Sequence, residues 1–339
     1  MYDFKAPLIM ALAITNKCNL KCEHCISNSG DEVANCLSFE EIKDILDQAA
    51  NMQVPYFGFT GGEPFCREDF YDILEYASKK NFKIIITSNG SLITREWAKK
   101  LKKLNIYLMR ISLDGSTSEK HDYFRGVKGA YSKTTEAISI LAEEGISTTV
   151  LTTVSKYNYD DITNIIDLSV TLGANAYNTS LFYPAGRGAK RASWVLSKEE
   201  YKEFYQSLTA KKEQYRGKID IKAEEPWSAL LGIDKNYKSR VCPAGIISME
   251  IDAQGYALPC LCYFIEEPFN NIRNNTLSII WRDSKLFKIL RNRNKLKGKC
   301  SECDKIDICG GGCRYIAYLQ KGDLLDEDPL CWIEKGSFK

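Results

Sequence analysis

The stretch Cys18-Asn-Leu-Lys-Cys22-Glu-His-Cys25 places three cysteines on one short segment, directly after an apolar run at 8–14. Three thiolates at this spacing can hold three irons of a [4Fe–4S] cubane and leave the fourth iron open. An open metal position can bind a substrate or cofactor, whereas a structural metal site is normally closed. The alternative is a zinc site that uses His24 as an additional ligand, although a histidine between two of the cysteines would be cramped.

Before and after this segment, short apolar runs alternate with amphipathic stretches along the chain. We predict strands at 8–14, 56–60, 83–87, 107–112, 147–154 and 176–182, and helices at 38–51, 68–79, 94–104, 130–144 and 159–172. This alternation predicts a parallel sheet with right-handed crossovers, and six strands are too few for a closed eight-stranded barrel. We therefore expect an α/β fold, a partial (β/α)6 parallel barrel. Its cysteine segment would lie at the carboxyl ends of the strands, where the active sites of parallel barrels are found.

The pattern changes after residue 182. A helix is predicted at 197–215, the next residues show little periodicity, and long helices disappear from Cys242 onward, where cysteine is frequent. A segment of this kind buries little apolar core, and metal clusters can supply the missing stability. We therefore predict a barrel at 1–215, a linker at 216–238 and a small cysteine-rich, iron–sulfur-binding domain at 239–339.

Composition narrows the class of protein. The 339 residues carry a net charge of +2, 44% of them are hydrophobic, and 13 are cysteines. The small net charge disfavours nucleic acid and anionic membranes as partners, and no apolar run approaches the length that crosses a bilayer. The run at 8–14 lacks the basic leader and cleavage site of a signal peptide. We therefore expect a cytoplasmic protein whose cysteines bind metal rather than form disulfides.

Seven cysteines near the C-terminus form a second group. They are Cys242, Cys260, Cys300, Cys303, Cys309, Cys313 and Cys331. Such interleaved spacings in one segment are typical of metal ligands, and two zinc knuckles are the alternative to iron–sulfur clusters. Cys262 lies next to this group as an additional thiol.

The Cys-x3-Cys-x2-Cys segment after an initial strand resembles the defining motif of the radical S-adenosylmethionine (SAM) superfamily. The resemblance implies that the amino and carboxylate groups of SAM chelate the open iron of the cluster. It also implies that one electron cleaves SAM to methionine and a 5′-deoxyadenosyl radical, which abstracts a hydrogen atom from a substrate under anaerobic conditions. The electron donor would be a flavodoxin-like or ferredoxin-like protein.

Further segments resemble the SAM-binding loops of that family, in the expected order. Thr60-Gly-Gly-Glu-Pro64 resembles the loop that binds the SAM amino group, because glycines allow close approach and a carboxylate accepts hydrogen bonds from an ammonium. The segments after the third and fourth strands, and the arginine of His121-Asp-x-x-Arg125, resemble those near the SAM ribose and carboxylate. The cofactor-binding candidates are Gly61, Gly62, Glu63, Pro64, Ser88, Asn89, Ser112, Asp114 and Arg125. The alternatives are ordinary cap and turn residues and, for Arg125, a surface ion pair.

The C-terminal cysteines resemble the SPASM extension of many radical SAM enzymes, which implies two auxiliary [4Fe–4S] clusters and three clusters in all. By this resemblance, the ligands of the cluster nearer the active site are Cys242, Cys260 and Cys313. Those of the outer cluster are Cys300, Cys303, Cys309 and Cys331. Cys262 could complete the nearer cluster, or an open iron there could bind substrate.

Three thiols are candidate donors of a hydrogen atom to a substrate radical: Cys262, Cys36 and Cys66. The last two belong to segments that we expect to face the barrel mouth, and their alternative role is that of small buried hydrophobic residues.

SPASM enzymes mostly modify peptides or proteins, so the resemblance implies an oxidoreductase that matures ribosomally synthesised peptides by crosslinking, oxidation or epimerisation. Only seventeen residues precede Cys18, so we expect no leader-binding domain there, and a separate leader-binding protein would be a partner. Pro184-Ala-Gly-Arg-Gly188 favours a rival, because it resembles a segment of SPASM enzymes that modify tetrapyrrole side chains in the alternative haem and haem d1 pathways. A non-catalytic iron–sulfur electron carrier would not need the SAM-binding loops.

Overall fold

The structure, a computed structural model, describes residues 4–224, 226, 241–262, 267–331 and 333. Its strands form one sheet in the order β7-β6-β5-β4-β3-β2-β1-β8-β9. They are β1 (Ile9–Ala13), β2 (Tyr56–Thr60), β3 (Lys83–Ser88), β4 (Leu108–Ser112), β5 (Thr148–Val154), β6 (Ala176–Leu181), β7 (Asp220–Ala223), β8 (Ser248–Ile251) and β9 (Ala257–Leu258). All neighbouring strands are parallel except β8 and β9. The predicted α/β fold with a parallel sheet is confirmed, and the six predicted strands are β1 to β6.

Helices lie between successive strands of the barrel, and further helices follow the last strand. They are α1 (Phe39–Asn51), α2 (Phe70–Ser78), α3 (Arg95–Lys103), α4 (Ser118–Arg125), α5 (Ala130–Glu143), α6 (Ile162–Thr171), α7 (Lys198–Gln214), α8 (Leu277–Asp283), α9 (Lys285–Arg291), α10 (Ile306–Cys309) and α11 (Arg314–Lys321). The five predicted crossover helices are α1, α2, α3, α5 and α6. The short helix α4 was not predicted, and it carries the His121-to-Arg125 segment toward the site.

Local sequence signals explain where several helices begin and end. Ser38 and Glu41 form a reciprocal capping box at the start of α1. Gly145 and Gly173 follow the ends of α5 and α6 with φ angles of 68° and 83°, a left-handed conformation that glycine adopts at low cost.

The region predicted as a linker contributes a strand to the sheet. β7 pairs in parallel with β6 at the edge of the sheet. Its sequence, Asp-Ile-Lys-Ala, alternates polar and apolar residues over only four positions, which is too short a run to separate a strand from a loop. The barrel sheet therefore extends to at least Ala223, whereas positions 225 and 227–238 of the predicted linker lie outside the described residues.

The core lies between the sheet and the helices that cover it. Phe57 and Phe59 on β2 are fully buried against this helical layer, while Gly58 between them and Thr60 after them face the inner side of the sheet. A Cβ at Gly58 would lie 3.3 Å from the Cβ of Ala11 on β1, so small residues occupy the inner side there. The sheet is therefore apolar where helices cover it and small or polar where it curves around a cavity.

The C-terminal region joins the barrel directly. β8 pairs with β1 in parallel, so the hairpin of β8 and β9 continues the barrel sheet rather than forming a separate one. Short helices follow, and the fully buried Trp281 of α8 donates a hydrogen bond to the carbonyl oxygen of Phe4. Within the part of the chain that the structure describes, none of the helices has the length and apolar character needed to cross a bilayer.

Candidate active site

A cavity of about 480 Å³ lies at the carboxyl ends of the parallel strands. Polar residues at or near the ends of five successive strands line it: Thr60, Ser88, Ser112, Thr153 and Ser180. Both cysteine groups reach its wall. Cys18, Cys22 and Cys25 contribute from the N-terminal segment, and Cys242, Cys260, Cys262 and Cys313 contribute from the C-terminal region.

Residues 15–30, which we name the cysteine loop, present thiols that are surrounded by hydrogen-bond donors. The amide of Leu20 lies 3.5 Å from Cys18 Sγ, and the amide of Ser29 lies 3.4 Å from Cys25 Sγ. Arg125 Nη1 lies 3.8 Å from Cys22 Sγ. Donors directed at sulfur stabilise thiolates and tune the potential of an iron–sulfur cluster, so the loop fits a cluster with three cysteine ligands.

The zinc alternative fits less well. The His24 ring stacks on Phe124 with centroids 4.1 Å apart, and burial lowers the pKa of His24 well below its usual range. Among the residues that the structure describes, no three cysteine, histidine or acidic side chains converge closely enough to hold a single metal ion. A cubane separates its thiolate ligands more widely than one tetrahedral ion does, so this spacing accords with a cluster.

The glycines of Thr60-Gly-Gly-Glu-Pro64 pack against the backbone of the cysteine loop. A Cβ at Gly61 would overlap the carbonyl oxygen of Thr15, and a Cβ at Gly62 would overlap those of Asn16 and Lys17. The amide of Gly62 also donates to the Thr15 carbonyl oxygen at 2.8 Å. Both glycines line the cavity as predicted for a ligand-binding turn, but their absent side chains also allow the cysteine loop to approach.

Glu63 and Pro64 lie behind this turn rather than on the cavity wall. The fully buried Glu63 carboxylate accepts hydrogen bonds from Ser88 Oγ at 2.8 Å and from the Asn89 amide at 2.7 Å. Burial raises the pKa of Glu63 to about 7. The carboxylate predicted to receive an ammonium therefore ties the turn after β2 to the turn after β3, while Ser88 and Asn89 line the cavity.

Asp114 also acts from behind the wall. It is fully buried and pairs with Arg125 Nη2, and it accepts a hydrogen bond from the Thr153 amide at 2.8 Å. Arg125 lies between Asp114 and Cys22 and lines the cavity together with Ser112. The prediction that Asp114 faces the cofactor is therefore corrected, because its carboxylate is used to orient Arg125. The surface ion pair considered for Arg125 is a buried one instead.

The C-terminal cysteines form two groups. In the first, the Cys260 pKa is raised by a hydrogen bond to the Cys262 thiol and by burial. Burial and the neighbouring charges of Cys242 and Cys260 raise the pKa of Cys313. The structure therefore brings Cys262 together with the three thiols predicted for the nearer cluster.

The second group contains the four thiols predicted for the outer cluster. Burial and the charges of Cys309 and Cys331 raise the pKa of Cys300 to about 11. Burial and the charge of Cys303 likewise raise the pKa values of Cys309 and Cys331. Cys309 and Cys313 separate because the glycines 310–312 between them have φ angles of 59°, 89° and 74°.

One buried residue between the groups carried no sequence signal. Asp328 accepts hydrogen bonds from the Cys313 amide at 2.7 Å and the Leu330 amide at 2.9 Å, and its own carbonyl accepts from the Cys331 amide at 3.1 Å. Burial raises the pKa of Asp328 to about 7. A lone aspartate in a loop has many roles, so only its position identifies it as a bridge between the two groups.

Cys36 and Cys66 lie away from the cavity wall. The Cys36 thiol donates to Glu32 Oε1 at 2.7 Å, and Cys66 lies in the short helical turn Pro64–Cys66. Neither lines the cavity, whereas Cys262 does. The expectation that the Cys36 and Cys66 segments bring a thiol to the barrel mouth is therefore not met.

Two carboxylates that the sequence did not single out face the cavity. Glu250 on β8 accepts a hydrogen bond from the Leu261 amide at 2.8 Å, and burial raises its pKa to about 7 against the opposing charge of Arg110. Glu224, just after β7, is exposed, and its Oε1 lies 3.4 Å from Asn178 Nδ2.

The guanidinium of Arg187 also lines the cavity and donates to the carbonyl oxygens of Cys22 and Ser29.

Two family profiles match the chain. The profile of the radical SAM superfamily matches residues 12–169, and that of the SPASM iron–sulfur cluster-binding domain matches residues 242–304. The AdoMet-dependent heme synthase of Methanosarcina barkeri is 32% identical over 98% of this chain and 98% of its own length. The mycofactocin maturase MftC of Mycolicibacterium smegmatis is 31% identical over 96% of this chain and 83% of its own. SuiB of Streptococcus suis, solved with its precursor peptide SuiA, has the same fold with a TM-score of 0.82 at 20% identity, covering 97% of this chain and 77% of its own.

Proposed function

The chain belongs to the radical SAM superfamily and carries a SPASM domain, and from this premise we propose that it modifies a peptide or protein substrate bound in the cavity. The reaction would begin with abstraction of a hydrogen atom from a side chain or α-carbon, leading to a crosslink, an oxidation or an epimerised residue. The electron donor would be a flavodoxin-like or ferredoxin-like protein.

The proposed cofactor site is built from the cysteine loop and the turns beside it. Cys18, Cys22 and Cys25 would hold a [4Fe–4S] cluster, and the cavity-lining residues Gly61, Gly62, Ser88, Asn89, Ser112 and Arg125 would contact SAM. When bound, these groups supply reductive SAM cleavage and hydrogen-atom abstraction. The buried Asp114 holds Arg125 in place, and Glu63 holds the turns after β2 and β3 together.

We assign Cys242, Cys260, Cys262 and Cys313 to the nearer auxiliary cluster. The support for Cys262 as the fourth ligand is its hydrogen bond to Cys260 and its place on the same cavity wall as the other three thiols. Cys300, Cys303, Cys309 and Cys331 would hold the outer cluster, which makes three clusters in all.

The charge on the cavity wall favours the peptide substrate. Arg125 forms an ion pair with Asp114, and Arg187 donates hydrogen bonds to carbonyl oxygens of the cysteine loop. Glu224 adds an exposed carboxylate to the same wall, and Glu250 adds a buried one whose charge is partly offset by Arg110. A wall that carries carboxylates, and whose arginines are already bonded within the protein, offers few partners to a substrate with several carboxylates and suits a basic or neutral one better. This is the observation that supports a peptide over a tetrapyrrole with acidic side chains.

A tetrapyrrole remains the second candidate, because a relative that is 32% identical along almost its whole length is an AdoMet-dependent heme synthase. The two candidates share the same cofactor chemistry and differ only in the molecule that fills the cavity. The identity of the substrate must therefore be tested directly.

The test uses the anaerobically reconstituted protein with SAM and a reductant, incubated in parallel with precursor peptides encoded beside the gene and with iron coproporphyrin. We expect mass spectrometry to show a peptide that has lost two hydrogens, or one of unchanged mass that gains deuterium from heavy water. A Cys18/Cys22/Cys25→Ala variant is the matched control. A modified tetrapyrrole with unchanged peptides would overturn the proposed substrate, and failure to release 5′-deoxyadenosine would count against catalysis altogether.

A further inference from the structure

The segment Pro184-Ala-Gly-Arg-Gly188 lies against the cysteine loop rather than forming a separate wall of the cavity. The amides of Arg187 and Gly188 both donate to the Cys25 carbonyl oxygen, at 2.9 and 3.4 Å. Gly186 has a φ of 56°, and a Cβ there would overlap the carbonyl oxygen of Ile26. Two glycines and one arginine therefore let the chain after β6 contact the backbone that carries the cluster ligands.

The Arg187 side chain completes this contact. Its Nε donates to the Cys22 carbonyl oxygen at 2.7 Å, and its Nη1 donates to the Ser29 carbonyl oxygen at 3.1 Å and to Asn28 Oδ1 at 3.4 Å. These acceptors lie on both sides of Cys25 along the loop, so one guanidinium joins its two halves. A lysine could not reproduce this, since an ammonium lacks the planar fork of donors.

Arg187 also places a positive charge beside the thiolates. Its guanidinium donates to the backbone of Cys22 itself and to that of Ser29, so the charge lies within the loop that carries the three cysteines. A nearby cation stabilises the reduced, more negative form of a cluster, and hydrogen bonds and charge around the sulfurs are known determinants of cluster potential.

We propose that Arg187 is a positioning residue that holds the cysteine loop in its ligand-binding conformation and raises the reduction potential of the cluster bound there. This inference rests on the proposed assignment of Cys18, Cys22 and Cys25 to a cluster. It also reassigns the segment 184–188. Because the segment serves the cluster loop, it does not distinguish a tetrapyrrole from a peptide substrate.

The test compares Arg187→Gln and Arg187→Lys with Arg191→Gln in the full reconstituted protein. Arg191 is the matched comparison because it also places a guanidinium beside the cysteine loop, but it bonds to the Glu23 side chain and lies 5.3 Å from the Trp194 ring centre, without bonding to the loop carbonyls. The measurement is a redox titration followed by electron paramagnetic resonance, without substrate. The relevant cluster is identified by the shift of its signal when SAM is added.

We expect Arg187→Gln to reduce the equilibrium constant for cluster reduction at least tenfold, which corresponds to a shift of about −59 mV for a one-electron couple. Arg187→Lys should keep most of the potential but broaden the signal, because the charge remains while the loop is less firmly held. Arg187→Gln could lose the cluster altogether. In that case, a cluster retained in both Arg187→Lys and Arg191→Gln would show that loss depends on the bonds and charge at position 187, which supports the same role.

Potentials and line shapes in both Arg187 variants equal to those of the unsubstituted protein would overturn the proposal. Absence of a SAM-sensitive signal in the unsubstituted protein would instead overturn the cluster assignment, so the two failures can be told apart.

Discussion

At the scale of single residues, buried carboxylates hold the loops that surround the cavity. Glu63 joins two strand-end turns, Asp114 orients Arg125, and Asp328 joins the two C-terminal cysteine groups. All three are shielded from water, so each needs its partners to compensate for the cost of burial. Their shared role is to position the groups that line the cavity.

The Asp114–Arg125 pair gives a stability prediction. Asp114→Asn removes the charge but keeps the shape, and it leaves the buried Arg125 without its carboxylate partner. We expect a loss of about 3–5 kcal/mol in the free energy of unfolding, measured by anaerobic denaturant titration. Asp160→Asn is the control, because Asp160 pairs with Lys120 on the surface, where an ion pair contributes less than about 1 kcal/mol. Equal losses in the two variants would contradict the structural role of Asp114.

Glu63 gives a prediction about pH. Its folded-state pKa of about 7 is above the ordinary value of 4.5 for a glutamate, so the folded protein binds this proton more tightly than the unfolded chain does. The associated stability is fully present below the unfolded pKa and is lost as the pH rises through about 7. The Glu63→Gln variant carries an amide at this position, which cannot titrate.

We therefore expect the melting temperature of the unsubstituted protein to fall relative to that of Glu63→Gln as the pH rises from about 5 to about 8. Thermal unfolding of both proteins across this range measures the difference, and titration of all other groups cancels in the comparison. A difference that does not change with pH would show that Glu63 has an ordinary pKa.

At the scale of elements, three turns contact the cysteine loop through glycine. Gly62 after β2, Gly126 after α4 and Gly186 after β6 each lie where a Cβ would overlap a carbonyl oxygen of the loop. The loop is therefore held from three elements that are distant in sequence. This arrangement explains how an irregular segment can present three thiols in a defined way.

A substitution at one of these contacts tests the arrangement. Gly62→Ala should displace the loop, because the overlapping atoms are backbone oxygens that cannot move without it. We expect loss of about four irons per chain, one cubane, by iron and sulfide analysis. Gly30→Ala, in the same loop with no atom within 4 Å of a Cβ, should retain its iron. Full iron content in Gly62→Ala would show that the contact does not determine cluster binding.

At the scale of the whole molecule, the C-terminal region completes the cavity by extending the barrel sheet. β8 pairs with β1, and Cys242, Cys260 and Cys262 lie close to this strand in sequence and on the cavity wall. The two cysteine groups at opposite ends of the chain therefore face one space. A radical formed at one side and an electron acceptor at the other would serve the same substrate.

The iron content of the whole protein tests this division. We expect about twelve irons per chain in the intact protein and about eight in Cys18/Cys22/Cys25→Ala, from three cubanes. Cys36→Ala is the control and should keep about twelve irons, since Cys36 bonds to Glu32 outside the cavity. Zinc in place of iron in an anaerobic preparation would contradict the cluster assignment.

The sequence by itself determined the parallel α/β fold, the six barrel strands and the superfamily. These features depend on local periodicity and on the spacing of cysteines within short segments, such as Cys18, Cys22 and Cys25. The strand β7 escaped prediction because four alternating residues carry too little signal. Sequence also located the cavity-lining glycines 61 and 62, since strand ends of a parallel sheet share one edge.

Only the tertiary structure decided which predicted residues face the cavity and which act from behind it. Glu63 and Asp114 are drawn inward by donors on other loops, and Cys36 and Cys66 lie off the wall, whereas Cys262, Glu224 and Glu250 lie on it. The role of Arg187 likewise depends on carbonyl oxygens more than 150 residues away. Long-range contacts of this kind leave no periodic trace in a single sequence, because backbone acceptors are available at every residue.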